Sequence, residues 1–159
     1  MKICICAPLA KAVSMILNVD YRYIPIMRYA YMPLLRWLPE YSVNETELDD
    51  SHKKLFYILN STYEKIMNSQ EVDSALPVIV ELSEYTKHHF LQEEHYMREK
   101  GYCEIEAHIA EHKEFADKIE ALKTHCHGNN LEITQELIVV LGGWLLHHVI
   151  KEDIKYSKA

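Results

Sequence analysis

Apolar residues recur every three or four positions in four separate segments of the chain, which is the period of an α-helix with one buried face. In the first segment, for example, Leu55, Leu59 and Ile66 fall on one face. Gly101 and Gly128 supply stop signals behind the second and third segments. The four predicted helices cover about residues 50–68, 77–100, 104–126 and 131–151.

Four helices of similar length joined by short connections predict an all-α fold, an up-down-up-down four-helix bundle with an N-terminal arm, because this arrangement buries four apolar stripes at once. The composition agrees, since four glycines and five prolines in 159 residues are too few for a many-turned β-sandwich. Gly142 and Gly143 interrupt the fourth helix, where each costs about 1 kcal/mol relative to alanine. We expect a close approach between helices to compensate at these two positions.

The first 36 residues differ from the rest of the chain, because they contain five basic residues and one acidic residue whereas the remainder is acidic. We expect residues 1–36 to form an arm outside the core and residues 37–159 to form the bundle. Lys11 and Asp20 interrupt the apolar runs of the arm, so none reaches the roughly 18–20 residues of a membrane span. Two alternatives stay open: a secretory leader over "MKICICAPLAKAVSMIL", and a domain that begins at Met32 behind a dispensable segment 1–31.

The formal net charge of −7 disfavours nucleic acid as a partner, because binding to phosphates needs a basic face. The four cysteines form neither a CxxC pair nor a regular framework. We interpret them as reduced thiols, which favours a cytoplasmic location. The sequence does not identify a protein partner.

Two pairs of metal-ligand side chains stand four residues apart on neighbouring predicted helices. His89 and Glu93 lie on the second helix, and His108 and His112 lie on the third. Four residues are just over one helical turn, so the members of each pair project from the same face. Joined by a tight turn, the two pairs can face each other across the core, which is how bundles build metal sites.

The first and fourth helices add further ligand types, His52 on the first and His148 with Asp153 on the fourth. Five histidines and two carboxylates exceed the needs of one tetrahedral zinc ion and suit two ions such as iron. Asp153 lies five residues beyond His148, about 140° around a regular α-helix, so the two would not share a face. We therefore predict an irregular helix, such as a π-bulge, between them.

The motifs "HFLQEEHYM", "GY", "HIAEH" and "WLLHHVIKED" follow one another in this order, and the set resembles the hemerythrin family, specifically its bacterial members, over residues 37–156. The resemblance implies a cofactor of two iron ions (Fe2+/Fe3+) joined by an oxo or hydroxo bridge. It assigns three histidines to one iron: His108, His112 and His148. It assigns His52 and His89 to the other iron, and the carboxylates of Glu93 and Asp153 to both.

The resemblance further implies that the protein binds O2 reversibly for storage or delivery and is not an enzyme. In the family, O2 is held as peroxide on the iron that has two histidine ligands. Apolar side chains surround that position and slow the delivery of protons. The matching residues of this O2 pocket are Leu55, Phe90, Trp144, Leu145 and Val149.

Other functions of a helical metal site are weighed against this one. A ferritin-like di-iron protein is disfavoured because no histidine here has a glutamate three positions before it. A zinc hydrolase of the H-E-x-x-H type is disfavoured because the paired histidines read H-I-A-E-H. An O2 or redox sensor, a di-iron oxidase and an enzyme that removes peroxide or nitric oxide would share the same site and remain alternatives.

Several nearby polar and aromatic residues receive no ligand role. Glu94 is interpreted as a solvated or outer carboxylate, Trp37 as packing on the bundle end, and Tyr156 equally as a residue near the site or as a structural one. The remaining five histidines are expected not to bind iron: His88, His95, His125, His127 and His147.

Overall fold

The computed structural model describes residues 33–67, 75–126 and 130–158, and these contain helices and no strand. After a short 3-10 helix (Pro39–Tyr41), the first three α-helices are α1 (Thr46–Met67), α2 (Leu76–Lys100) and α3 (Ile105–His125). The fourth helix is continuous and has three parts, α4 (Asn130–Trp144), a π-helical segment (Leu145–Glu152) and α5 (Asp153–Ser157). Each helix packs against the next along the chain, and α1 also packs against α4. The predicted all-α four-helix bundle is confirmed.

The turn between α2 and α3 is closed by Gly101, as predicted. Gly101 has a left-handed backbone (φ 67°, ψ 33°), and its N–H donates to Arg98 O at 3.1 Å. The N–H of Tyr102 donates to Met97 O at 3.0 Å, which satisfies a carbonyl in the last turn of α2. This compact reversal sets the second half of α2 beside the first half of α3.

The predicted irregularity between His148 and Asp153 is confirmed, because residues Leu145–Glu152 are π-helical. The N–H of Asp153 donates to His148 O, five residues back along the chain. The wider helical turn brings both side chains inward, and each is fully buried. The site therefore depends on a local departure from the α-helix.

Two groups of buried apolar side chains hold the bundle together. The larger fills most of the length between the helices and includes Leu59, Leu82 and Ile119, each with no exposed surface. The smaller contains Val43, Leu48, Met97, Tyr102 and Tyr156. These five lie where α1 begins, α2 ends and the fourth helix ends, which is one end of the bundle. The predicted ligands lie within a few turns of the same end.

One stretch of the fourth helix, Leu131–Ser157, is long and apolar enough to cross a membrane, judged by length and composition alone. Its apolar residues Leu137, Ile138, Leu141 and Leu145 are buried against the other helices. A central helix of a bundle needs such a face. The bundle core therefore accounts for this composition.

The expectation of a close helix contact at Gly143 is wrong. Gly143 is exposed, and a Cβ built at this position would meet no atom within 4 Å. It lies on the outer face of α4, so no neighbouring helix requires its small size. Gly142 is buried.

The end of the N-terminal segment differs from the expectation that residues 1–36 lie outside the core. Leu34 and Leu35 are buried and belong to the larger apolar cluster. Asn60 on α1 holds the backbone of Leu35 at both polar groups, accepting from its N–H at 3.0 Å and donating to its carbonyl at 2.8 Å. Residues 1–32, with Cys4, Cys6 and the rest of the predicted arm, lie outside the described residues.

We expect Asn60→Ala to lower the free energy of unfolding by about 1–3 kcal/mol, because it leaves two buried backbone groups of Leu35 without their partner. Urea denaturation of the metal-free protein would measure the change. Glu64→Ala, an exposed substitution one turn further along α1, should stay within about 0.5 kcal/mol of the wild type. Equal stability of the two variants would contradict a structural role for this pair of hydrogen bonds.

Candidate metal centre

Seven ligand-type side chains from all four helices meet in the interior of the bundle. α1 provides one, α2 two and α3 two, and the fourth helix provides the last two. The most exposed of them has 5% of its surface accessible. They are the seven residues that the sequence predicted as ligands: His52, His89, Glu93, His108, His112, His148 and Asp153.

Glu93 lies at the middle of this group, with four imidazole Nε2 atoms around its carboxylate. Its Oε2 lies 2.9 Å from Nε2 of His112, 3.5 Å from that of His108 and 3.9 Å from that of His89. Its Oε1 lies 3.5 Å from Nε2 of His52. Glu93 is therefore within reach of histidines on three helices.

Asp153 lies on the other side of the same group. Its Oδ1 is 3.2 Å from Nε2 of His148 and 3.5 Å from Nε2 of His108, and its Oδ2 is 3.2 Å from Nε2 of His52. His52 and His108 therefore each approach both carboxylates. Two carboxylates between two sets of imidazoles form an arrangement in which each carboxylate can contact two ions.

Most of these atoms have no hydrogen-bond partner among the described residues, although they lie close together. The atoms are Nε2 of all five histidines, Oε2 of Glu93 and both carboxylate oxygens of Asp153. Buried polar atoms are normally satisfied, so a cluster without partners indicates lone pairs that serve another ligand. Imidazole and carboxylate together suit iron.

The donor atoms form two groups that could each hold a metal ion. One contains Glu93 and three histidines, and the other contains Glu93 and two histidines; the donor atoms of each group lie within 4.8 Å of one another. The first group is Glu93, His108, His112 and His148, and the second is His52, His89 and Glu93. The residues thus fit two ions that share a carboxylate.

Burial and mutual charge set the protonation of the metal-free centre. Burial lowers the pKa of His89 to about 3. Burial also opposes a charge on His52, but Asp153 and Glu93 outweigh it and raise the pKa of His52 to about 10. Burial, with the charge of Glu93, raises the pKa of Asp153 to about 6. Metal ions that bind here would therefore displace protons from the centre.

Three polar contacts surround the ligand-type side chains. The hydroxyl of Tyr156 donates to Oε1 of Glu93 at 2.6 Å. Nδ1 of His112 lies 3.2 Å from Oε1 of Glu94, an outer carboxylate. Nδ1 of His148 lies 2.7 Å from Oε2 of Glu111. Sequence reasoning missed the contact of Glu111, because its partner is 37 residues away on another helix and no local spacing reports it.

Aromatic rings cover the imidazoles on several sides. Phe90 stacks on His112 with ring centroids 3.9 Å apart, and Trp144 stacks on His148 at 4.5 Å. Trp37, expected to pack on the bundle end, lies 6.2 Å from the ring of His52. All five residues predicted for the O2 pocket are at least partly buried in the larger apolar cluster: Leu55, Phe90, Trp144, Leu145 and Val149.

The remaining histidines stay away from the centre where the structure describes them. His88, His95, His125 and His147 are exposed, and His127 lies outside the described residues. Cys103 and Cys126 are free thiols.

Comparison with known proteins gives one family. The family model of the hemerythrin HHE cation binding domain matches residues 44–158. A bacteriohemerythrin of Clostridium acetobutylicum is 31% identical over 124 residues, which cover 76% of this chain and 96% of the relative. A bacteriohemerythrin of Methylococcus capsulatus is 30% identical over 129 residues, covering 79% and 96%. A crystal structure of a hemerythrin mutant is 26% identical with a TM-score of 0.66, covering 80% of this chain and 97% of that one. With the buried histidine and carboxylate cluster, these matches show that the chain belongs to the hemerythrin family, which binds oxygen at a di-iron centre.

Proposed function

We propose that this protein binds O2 reversibly, for storage or delivery, at a di-iron centre inside the bundle. One iron would be held by the three-histidine half-site (His108, His112 and His148), and the other by the two-histidine half-site (His52 and His89). Glu93 and Asp153 would bridge the two ions. The observation that carries the proposal is the convergence of buried donor atoms that have no hydrogen-bond partner among the described residues.

The two half-sites differ in the number of protein ligands, and this difference supports a division of roles. Two ferrous ions, when bound, supply the two electrons that reversible O2 binding requires. The two-histidine half-site takes fewer ligands from the protein, and we propose that O2 binds on this side. Leu55 lies one turn beyond His52 on α1 and is fully buried, so an apolar side chain adjoins this half-site.

The apolar wall excludes water and protons from the centre. Leu55, Leu145 and Val149 have no exposed surface, and Phe90 has 6%. These four hydrocarbon side chains carry no hydrogen-bond donor and deliver no proton to bound O2, so O2 can leave unchanged. The wall therefore favours binding and release over chemical turnover, and we propose that the protein is not an enzyme.

Tyr156 would keep Glu93 in its bridging position. Its hydroxyl donates to Oε1 of Glu93 at 2.6 Å in a buried setting. Burial, together with the charge of Glu93, raises the pKa of Tyr156, so its proton stays on the hydroxyl near neutral pH. The tyrosine is a hydrogen-bond donor at the centre without being a source of free protons.

Anaerobic loading with ferrous iron, followed by exposure to air, tests the proposed function. We expect two irons per chain and a visible absorption band that appears with O2 and disappears when O2 is removed under argon. Metal analysis and optical spectra of the same sample measure both. Direct conversion to the ferric form without a reversible band would favour a sensor or an oxidase, and one zinc ion without iron would contradict the di-iron centre.

A further inference from the structure

Two of the three imidazoles in the three-histidine half-site are held from behind by carboxylates. Oε2 of Glu111 lies 2.7 Å from Nδ1 of His148, and Oε1 of Glu94 lies 3.2 Å from Nδ1 of His112. An ionised carboxylate only accepts hydrogen bonds, so Nδ1 must carry the hydrogen and donate it. The lone pair of each ring then lies on Nε2, which faces the centre.

The same two imidazoles are also fixed by stacked aromatic rings. Phe90 lies on His112 with an angle of 8° between the ring planes, and Trp144 lies on His148 with an angle of 18°. Stacking on the face of the imidazole limits rotation of the ring about its Cβ–Cγ bond. The carboxylate at Nδ1 determines that Nε2 is the nitrogen that faces the centre. Both rings are therefore positioned before any metal binds.

The two-histidine half-site has no such support among the described residues. Nδ1 of His52 and Nδ1 of His89 are buried without a hydrogen-bond partner there. The two rings meet edge to face with centroids 4.9 Å apart, and Trp37 is tilted by 32° over His52. Neither imidazole has a carboxylate behind it at Nδ1, so nothing among the described residues fixes which nitrogen carries the hydrogen on that side.

We propose that Glu111 and Glu94 are positioning residues that make the three-histidine half-site bind metal more tightly than the two-histidine half-site. The three-histidine half-site then binds the first metal ion and is the last to release its ion. The inference rests on the ligand set of the proposed function. An acceptor behind an imidazole raises its basicity and orients its ring before binding. Because the two-histidine half-site lacks this support, it fills second and empties first.

The geometry also ranks the two carboxylates. Glu111 has the shorter contact, 2.7 Å against 3.2 Å, and Glu94 additionally accepts from the guanidinium of Arg98 at 3.3 Å. The positive charge of Arg98 partly neutralises Glu94, which weakens the effect of Glu94 on the imidazole of His112. Glu111 therefore contributes more than Glu94 to the hold on metal.

Release of Fe2+ from the full-length, anaerobically loaded protein into an excess of a ferrous chelator tests this inference. The wild type should release one iron quickly and one slowly. Glu111→Ala should accelerate the slow phase by roughly 10- to 100-fold and leave the fast phase unchanged. Glu94→Ala should have a smaller effect on the same phase, and Glu111→Gln should lie between wild type and alanine because its amide oxygen still accepts a hydrogen bond.

Two further variants make the phases interpretable. Glu114→Ala removes an exposed carboxylate from the same helix, where it pairs with Lys118, and should release both irons like the wild type. His52→Ala should remove the fast phase and keep the slow one, which assigns the phases to half-sites. The thermal midpoint of metal-free Glu111→Ala should lie well above the temperature of the release assay, so that faster release reports weaker metal binding and not unfolding.

Single-phase release by the wild type, binding of fewer than two irons, or acceleration of only the fast phase in Glu111→Ala would each overturn the inference. An equal effect of Glu114→Ala would overturn it as well. O2 plays no part in this experiment. A protein that releases iron in the expected two phases but shows no reversible O2 band would contradict the proposed function alone.

Discussion

Glu93→Ala should reduce iron binding from two ions per chain to one or none. Glu93 has no exposed surface, and its carboxylate lies within 3.9 Å of Nε2 atoms of four histidines, so it belongs to both donor groups. If Glu93 bridges the centre as proposed, its removal takes a ligand from both ions at once. We expect the affinity for the remaining ion to fall by more than the roughly 10- to 100-fold typical of outer hydrogen-bond partners. Metal analysis after anaerobic loading and desalting gives the stoichiometry.

Glu99→Ala is the matched control, because Glu99 lies on the same helix with its side chain 65% exposed. This variant should keep two irons. Circular dichroism of both metal-free proteins establishes that the helices are intact, so that a lost ion reports a lost ligand. Two tightly held irons in Glu93→Ala would show that Glu93 does not bridge the centre.

The sequence predicts much of the bundle because its main signals are local. Helical periodicity, the stop at Gly101 and the four-residue spacing of histidine and glutamate are each contained within a few turns. The five-residue interval between His148 and Asp153 even predicts the π-helical segment, since a regular helix cannot direct both inward. Fold and candidate ligands therefore follow from short-range spacing.

The contacts that sequence reasoning missed depend on the assembled bundle. Glu111 meets His148 only because α3 and the fourth helix pack side by side. Asn60 similarly holds the backbone of Leu35 across 25 residues, so the boundary expected for the arm did not anticipate its buried end. At Gly143 the residue type suggested a close approach that the outer face of α4 does not provide. Each of these contacts depends on which element packs against a given helix face, and local sequence spacing does not report this.

The carboxylates of Glu93 and Asp153 are both fully buried, which is energetically unfavourable for a charged group. Burial disfavours the charged form of both, and together with the charge of Glu93 it raises the pKa of Asp153 to about 6. The surrounding imidazoles act in the other direction on Glu93, whose pKa lies well below its usual value. Metal-free protein thus balances buried charges that two cations would neutralise more completely. We infer that metal binding stabilises the fold, since ions that bind the native state shift the unfolding equilibrium.

Val149→Thr should shorten the lifetime of the O2-dependent visible band by about tenfold, which corresponds to about 1.4 kcal/mol on the barrier. Threonine has nearly the shape of valine, so the substitution mainly changes the polarity of the apolar wall beside His148 by burying a hydroxyl there. The hydroxyl provides a proton donor and a partner for water at a position where the valine side chain has neither. Within a helix it can also bond a preceding carbonyl, which limits the cost to folding. Optical decay under air at fixed temperature measures the lifetime.

Val43→Thr separates the polarity of the wall from the general cost of a buried hydroxyl. Val43 is 1% exposed and belongs to the smaller cluster at the end of the bundle, away from the proposed O2 pocket. Both threonine variants should lose stability in urea, but only Val149→Thr should shorten the lifetime of the band. Equal lifetimes in the two variants would show that Val149 does not limit proton access. A faster decay at position 149 alone would support the apolar wall as the feature that keeps O2 binding reversible.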